Sequence, residues 1–209
     1  GNQSAQTGTT YVIVDTTPPG LTITTPIASD NVVNGSEDNY FNVSGTSLGG
    51  QTVYVIFTDE LGATVTGTAT VAGTSWTLSG ANISGLQSGD ITVEAYAVDR
   101  AGNQSGTVTN TIELDNVGPD APVITGFTDD TGIANNQTSD TTPTLTGTAG
   151  AGETVRLYLA GSQIASTVAD GSGNWTVTTS ALPEGYHSIT ARAVDDAGNL
   201  GATSNAQIV

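Results

Sequence analysis

The chain has 209 residues, room for one large or two ordinary domains, with 20 acidic residues against 3 basic ones, all Arg, and a net charge of −17. That field repels nucleic acid and anionic membranes, and it suits either recruitment of hard cations such as Ca²⁺ through oxygen ligands or a simple solvated acidic surface. With no Cys and a single His, neither disulfide staples nor a zinc cluster can be built, and no apolar run approaches the roughly 20 residues of a membrane helix.

The chain begins with Gly1-Asn2-Gln3-Ser4, which lacks the charged and apolar regions of a signal peptide. The segment from Gly1 to Asp15 reads like Gly102 to Asp115, so residues 1–15 are expected to be the last strand and linker of a preceding unit. An Asp-x-x-x-Pro seam follows at Asp15 and Pro19 and returns at Asp115 and Pro119, dividing the rest into repeats at 16–115 and 116–209. Within the first repeat come Gly45-Thr46, then the alternating run Val53, Val55, Phe57, then Trp76, then Ile91, Val93, Ala95, Ala97, and the turn Asp99-Arg100-Ala101-Gly102-Asn103. The second repeat offers the same landmarks in the same order: Gly147-Thr148; Val155, Leu157, Leu159; Trp175; His187, Ile189, Ala191, Ala193; and Asp195-Asp196-Ala197-Gly198-Asn199. The period-2 alternation, the abundance of Thr and Val and the Gly, Asn, Asp and Ser punctuation predict short strands throughout. About seven strands in roughly 100 residues is the pattern of an immunoglobulin-like sandwich, so the expected fold is all-β, with two tandem immunoglobulin-like β-sandwiches arranged end to end. Trp76 and Trp175 are expected in the cores rather than on a ligand platform.

The Asp-x-Ala-Gly-Asn turn, followed about a dozen residues later by the Asp-x-x-x-Pro seam, resembles the bacterial Ig-like repeats of giant type I-secreted surface and biofilm adhesins. Asp170-Gly171-Ser172-Gly173-Asn174-Trp175 and the stretch Asp30 to Glu37 are similar to further landmarks of such repeats. The resemblance implies tandem extracellular sandwiches at a bacterial cell surface. Calcium would sit near the junctions, adjacent repeats would be the partners, and the adhesive ligand would be bound elsewhere in the parent protein. Arg100 stands where the second copy has Asp196, which implies weaker metal binding in the first copy.

In a seven-stranded sandwich alternate loops gather at opposite ends. The loop after the sixth strand therefore lies at the N-terminal end of its domain and the seam Asp at the C-terminal end. Stacking two repeats is expected to bring Asp115 toward Asp195, Asp196 and Asn199, with Asp30, Glu37 and Asp38 pointing to the same junction. Carboxylates drawn from two repeats suit Ca²⁺, which takes about 6–8 oxygens at flexible angles. Asp15 and Asp99 would be half of an upstream site, and Asp129, Asp130 and Asp140 half of a downstream one. The same Asp and Asn residues also make ordinary turns by bonding their own backbone, and Asp170 to Asn174 reads as a hairpin turn rather than a ligand loop.

Catalysis is not expected. The lone His187 aligns with Ile91 on an inward-facing strand and has no nucleophile beside it, and Asp195-Asp196 sits in a repeated turn rather than a unique carboxylate pair. The leading expectation is a structural extender stiffened by calcium at its junctions. The alternative is a carbohydrate-binding module, which would need an exposed aromatic platform from Tyr11, Tyr40, Tyr54, Tyr96, Tyr158 or Tyr186, and no cluster among these is visible along the chain.

Overall fold

The computed structural model describes residues 12–128 and 138–209, and apart from one short 3-10 turn at Ile27–Ser29 the regular elements among them are β-strands. The first eight are β1 (Gly20–Ile23), β2 (Val32–Asn34), β3 (Phe41–Leu48), β4 (Thr52–Thr58), β5 (Thr64–Ala72), β6 (Ser75–Ala81), β7 (Gly89–Val98) and β8 (Val108–Asp115). They run in the order β1-β3-β6-β5-β4-β7-β8-β2, with the β2–β8 pairing parallel. β5 pairs with β4 along its length but meets β6 only at Val71 and Ala72, so the ladder turns a corner there. The rings of Phe41 on β3 and Phe57 on β4 then meet edge-on at 5.7 Å across the core. The alternation read from sequence sets the inward faces: Val53, Val55 and Phe57, and Ile91, Val93, Ala95 and Ala97, are all buried.

The second half repeats the plan with β9 (Val123–Thr128), β10 (Thr144–Thr148), β11 (Thr154–Leu159), β12 (Ser162–Val168), β13 (Asn174–Thr178), β14 (Ser188–Val194), β15 (Leu200–Thr203) and β16 (Gln207–Ile208). One sheet is β13-β10-β9 and the other β12-β11-β14-β15, with β16 also on β14. Ile124, Leu145 and Trp175 from the first sheet close on Val155, Leu157, Ile189 and Ala191 from the second, and Ala169, Leu182 and Val209 complete this core. This is an all-β, Ig-like sandwich, in which each fully buried Leu or Ile contributes about 1.5–3 kcal/mol.

Each Trp lies opposite a glycine: Trp76 is the register partner of Gly45, and Trp175 of Gly147. The Trp76 indole N–H donates to the Thr22 carbonyl at 3.2 Å. The buried Trp175 N–H has no hydrogen-bond partner among the described residues. β1 runs against β3 without interruption, whereas β9 carries an extra residue, Thr125, where the register on β10 shifts between Thr146 and Gly147. That bulge accompanies the loss of the indole bond, as expected when an extra residue re-aims the local carbonyls.

By contact the chain divides into two compact units. One comprises the described part of 1–31 with Tyr40–Leu86 and Ile91–Ile112; the other comprises Val32–Asn39, Gln87–Asp90 and the described part of Glu113–Val209. Residues 1–11 of the expected first strand lie outside the described residues. Val12, Ile13 and Val14 are exposed and lie in no strand. Among the described residues no helix is long and apolar enough to cross a membrane.

Candidate functional site

The Asp-x-Ala-Gly-Asn turn is built identically in both copies. Asp195 N–H donates to the Asn199 carbonyl at 3.3 Å, Gly198 N–H to the Asp195 carbonyl at 3.2 Å, and Asn199 N–H to Asp195 Oδ1 at 2.8 Å. In the first copy Asp99, Gly102 and Asn103 make the corresponding bonds at 3.1, 3.3 and 2.8 Å. Gly102 and Gly198 sit at φ of 92° and 93°, a left-handed conformation that an L side chain adopts only with strain. The turn thus aims the Asn side chain by its own backbone, and the Asp side chain is committed first to the loop.

The Asn amide then reaches across to the seam. Asn199 Nδ2 donates to the Asp115 backbone carbonyl at 2.8 Å and to Asp195 Oδ2 at 3.1 Å, while its Oδ1 accepts from Gly35 N–H at 2.7 Å. The Gly35 contact fixes which end of the amide faces Asp115. Asn103 Nδ2 likewise donates to the Asp15 carbonyl at 3.1 Å and to Asp99 Oδ2 at 2.8 Å. The seam Asp side chains cap their own turns, Asp15 Oδ1 accepting from Thr17 N–H and Asp115 Oδ1 from Val117 N–H. The Asn103 side-chain bond is the main cause holding the Asp99 carboxyl below its ordinary range, partly opposed by desolvation and helped by the turn amides.

Around Asp115 the second unit gathers more oxygen-bearing groups. Asn34 is the register partner of Asp115, sends its Nδ2 to the Ala197 carbonyl at 3.1 Å, and receives Glu37 Oε2 on its backbone N–H at 3.3 Å. Asp38, buried, accepts from Asn116 Nδ2 at 2.9 Å, and Asn116 Oδ1 accepts from Ser88 at 2.7 Å. Of the residues expected at this junction, Asp115, Asp195 and Asn199 are joined directly, and Glu37 and Asp38 through Asn34 and Asn116. Asp196 belongs to the same turn but is exposed. Asp30 ends the short turn at Ile27–Ser29 and belongs to the other unit. Asp129 and Asp130 lie outside the described residues, and Asp140 caps its own turn through Thr142.

The donor set is all oxygen, which matches a hard cation in kind. Among the described residues no three acidic or His side chains are arranged to hold a metal ion, and the Asn199 amide nitrogen stands between Asp115 and Asp195.

The remaining singled-out residues are structural. Asp170 Oδ1 accepts from Ser172 and Asn174 N–H, both at 2.9 Å, and those backbone bonds depress its carboxyl. His187 is half-buried at the rim before β14, its Nε2 2.7 Å from the Pro183 carbonyl. Two features escaped sequence reasoning. Asn34 and Gly35 join the Asn199 turn through the parallel β2–β8 pairing, for which the residues carry no signal. Tyr54 and Tyr96 face each other across β4 and β7 and stack at 5.0 Å with ring planes 14° apart.

A model of the bacterial Ig-like domain family matches residues 119–209. No curated protein matches the chain. Among solved structures, the chain is similar to a Ca²⁺-stabilized adhesin that helps an Antarctic bacterium reach out and bind ice, at 25% identity and a TM-score of 0.51 over 92% of this chain and 49% of that one. It is also similar to a tetra-tandem repeat in the extending region of a large adhesion protein, at 28% identity and a TM-score of 0.39 over 91% of this chain and 50% of that one. The FN1–FN3 domains of chicken CNTN1, at 14% identity and a TM-score of 0.52 over 92% of this chain and 65% of that one, share the fold alone. The chain spans about half the length of the two adhesin structures.

Proposed function

We propose, for a chain whose residues 119–209 match a model of the bacterial Ig-like domain family, that it is an extender segment of a bacterial surface adhesin: tandem repeats in series whose junctions are clamped by Asn and stiffened by calcium. The observation that carries the reading is the clamp built twice, Asn103 to the Asp15 carbonyl and Asn199 to the Asp115 carbonyl, each from the same turn and each on the residue that opens a seam. A binding module gains nothing from repeating that detail, whereas a spacer needs each seam held in the same way. Supporting calcium are the 20 acidic residues against 3 basic ones and the similarity to an adhesin described as Ca²⁺-stabilized. Calcium that binds the folded repeat alone would add to its stability. The alternative of a carbohydrate module built on an aromatic platform has less support, because Tyr54 and Tyr96 stack on one another.

The test is thermal melting in CaCl₂ and in chelator at matched ionic strength. A ligand present at about 100 times its Kd adds about 2.7 kcal/mol, which for a repeat of this size raises the Tm by roughly 10–20 °C. An unchanged Tm removes calcium from the reading and leaves the acidic residues as surface charge.

A further inference from the structure

Two of the chain's three basic residues stand directly opposite one another. Arg156 on β11 is the register partner of Arg192 on β14, and both side chains leave the outer face of the sheet, since Val155, Leu157, Ala191 and Ala193 fill the inner one. Directly opposed residues have Cβ atoms about 5 Å apart, and like charges so placed destabilise a sheet. The position makes the pair informative. Its counterparts in the first repeat are Tyr54 and Tyr96, where the same rung carries a self-satisfying aromatic stack. The second repeat replaces that stack with a self-repelling pair.

In a chain of net charge −17 a neutralising carboxylate should be easy to supply, yet among the described residues neither guanidinium makes an ion pair. Arg192 is anchored by its Nε on the Gly201 carbonyl at 2.8 Å, with a weaker Nη2 contact to the Leu200 carbonyl at 3.5 Å. That leaves the outer edge of its fork unspent. Arg156 is half-buried, and its guanidinium has no hydrogen-bond partner among the described residues. The rung continues to Ser166 on β12 beside Arg156 and to Thr203 on β15 beside Arg192, both exposed. With strands about 4.8 Å apart, the row of hydroxyl, guanidinium, guanidinium and hydroxyl is about 14 Å long.

We propose that this row on the β12-β11-β14-β15 sheet binds a carboxylated sugar, the carboxylate bridging Arg156 and Arg192 and the sugar hydroxyls meeting Ser166 and Thr203. A guanidinium fork matches a carboxylate in shape and charge, and the flanking donors match a polyol. A neighbouring copy of the chain would also bring carboxylates, but it would bring a charge of −17 with them, so an isolated carboxylate on a neutral scaffold is the favoured occupant.

The chain has three Arg residues and no Lys, so an ¹⁵N spectrum of the full protein carries three Arg Nε–Hε signals, which can be followed separately. Sodium glucuronate is titrated against sodium chloride at equal ionic strength and against glucose. The Arg156 and Arg192 signals should shift saturably with glucuronate alone, with half-saturation at roughly 1–10 mM as fits a single bridged carboxylate, while Arg100 stays still. Arg156→Gln should weaken the response at Arg192 about tenfold without lowering the Tm, and Arg192→Lys, which keeps charge but loses the fork, should weaken it as well. Equal shifts with chloride, or movement of Arg100 to the same extent, would overturn the site as mere screening. Concentration-dependent self-association in sedimentation that Arg156→Gln abolishes would overturn the sugar in favour of a second copy.

Discussion

Gly147→Ala should cost the second repeat about 3 kcal/mol, a drop in Tm of roughly 12–24 °C by calorimetry. Gly147 lies in β10 opposite Trp175, and a methyl there would run into both the Val123 carbonyl and the Trp175 ring. Neither neighbour can retreat: one is backbone in the adjacent strand, and the other is a buried indole in the centre of the core. The first repeat uses the same device, since a Cβ at Gly45 would meet the Thr22 carbonyl and the Trp76 indole. Gly126→Ala is the control, because Gly126 lies in β9 with open space around its missing Cβ, and it should cost less than about 1 kcal/mol. A Gly147→Ala protein melting within 3 °C or so of the native chain would show that the tryptophan does not need the glycine beneath it.

Asn199→Ala should cost about 2–4 kcal/mol, because the deleted amide serves Gly35 N–H, the Asp115 carbonyl and Asp195 Oδ2 at once, and Asn199 is only 7% exposed. Asn103→Ala removes the corresponding bonds to Asp15 and Asp99, but Asn103 is half-buried and Asp15 exposed, and water can replace the lost partners. Its cost should stay below about 1 kcal/mol. The informative variant is Asn199→Asp. It keeps the acceptor for Gly35 N–H and loses the donation to the Asp115 carbonyl, placing a third carboxylate beside Asp115 and Asp195. In chelator it should melt below Asn199→Ala, and calcium should raise its Tm more than that of the native chain. Equal losses for Asn103→Ala and Asn199→Ala, measured by calorimetry, would mean that burial does not set the strength of the clamp.

What the residues announced in advance was the local part of the fold. Alternation told which side of β4, β7, β11 and β14 faces inward, because period 2 is a property of a single strand. The repeated Asp-x-Ala-Gly-Asn turns could be read because Asp, Gly and Asn bond within five residues of one another. The expectation that Asp115 meets Asp195 and Asn199 followed from loop order alone, and the Asn199 bonds place the three together. What stayed hidden was register. Nothing along the chain says that Arg156 faces Arg192, that Tyr54 faces Tyr96, or that Thr125 is an extra residue in β9, since each depends on how one strand slides past another. Asn34 and Gly35 were missed for the same reason, their partners being more than 160 residues away. The role of Asn199 as a donor to a backbone carbonyl was also hidden behind its more familiar reading as an oxygen ligand.

Calcium and the Asn clamp are proposed to hold neighbouring repeats in one orientation, and spin-label distances read this out. The chain has no Cys, so Thr66→Cys and Gln163→Cys, both at exposed strand positions, give one unique label pair across the two halves. The expected distance distribution is narrow in calcium, broadens in chelator and broadens further with Asn199→Ala. A distribution equally broad with and without calcium, and unchanged by Asn199→Ala, would contradict it and leave the repeats as freely jointed beads.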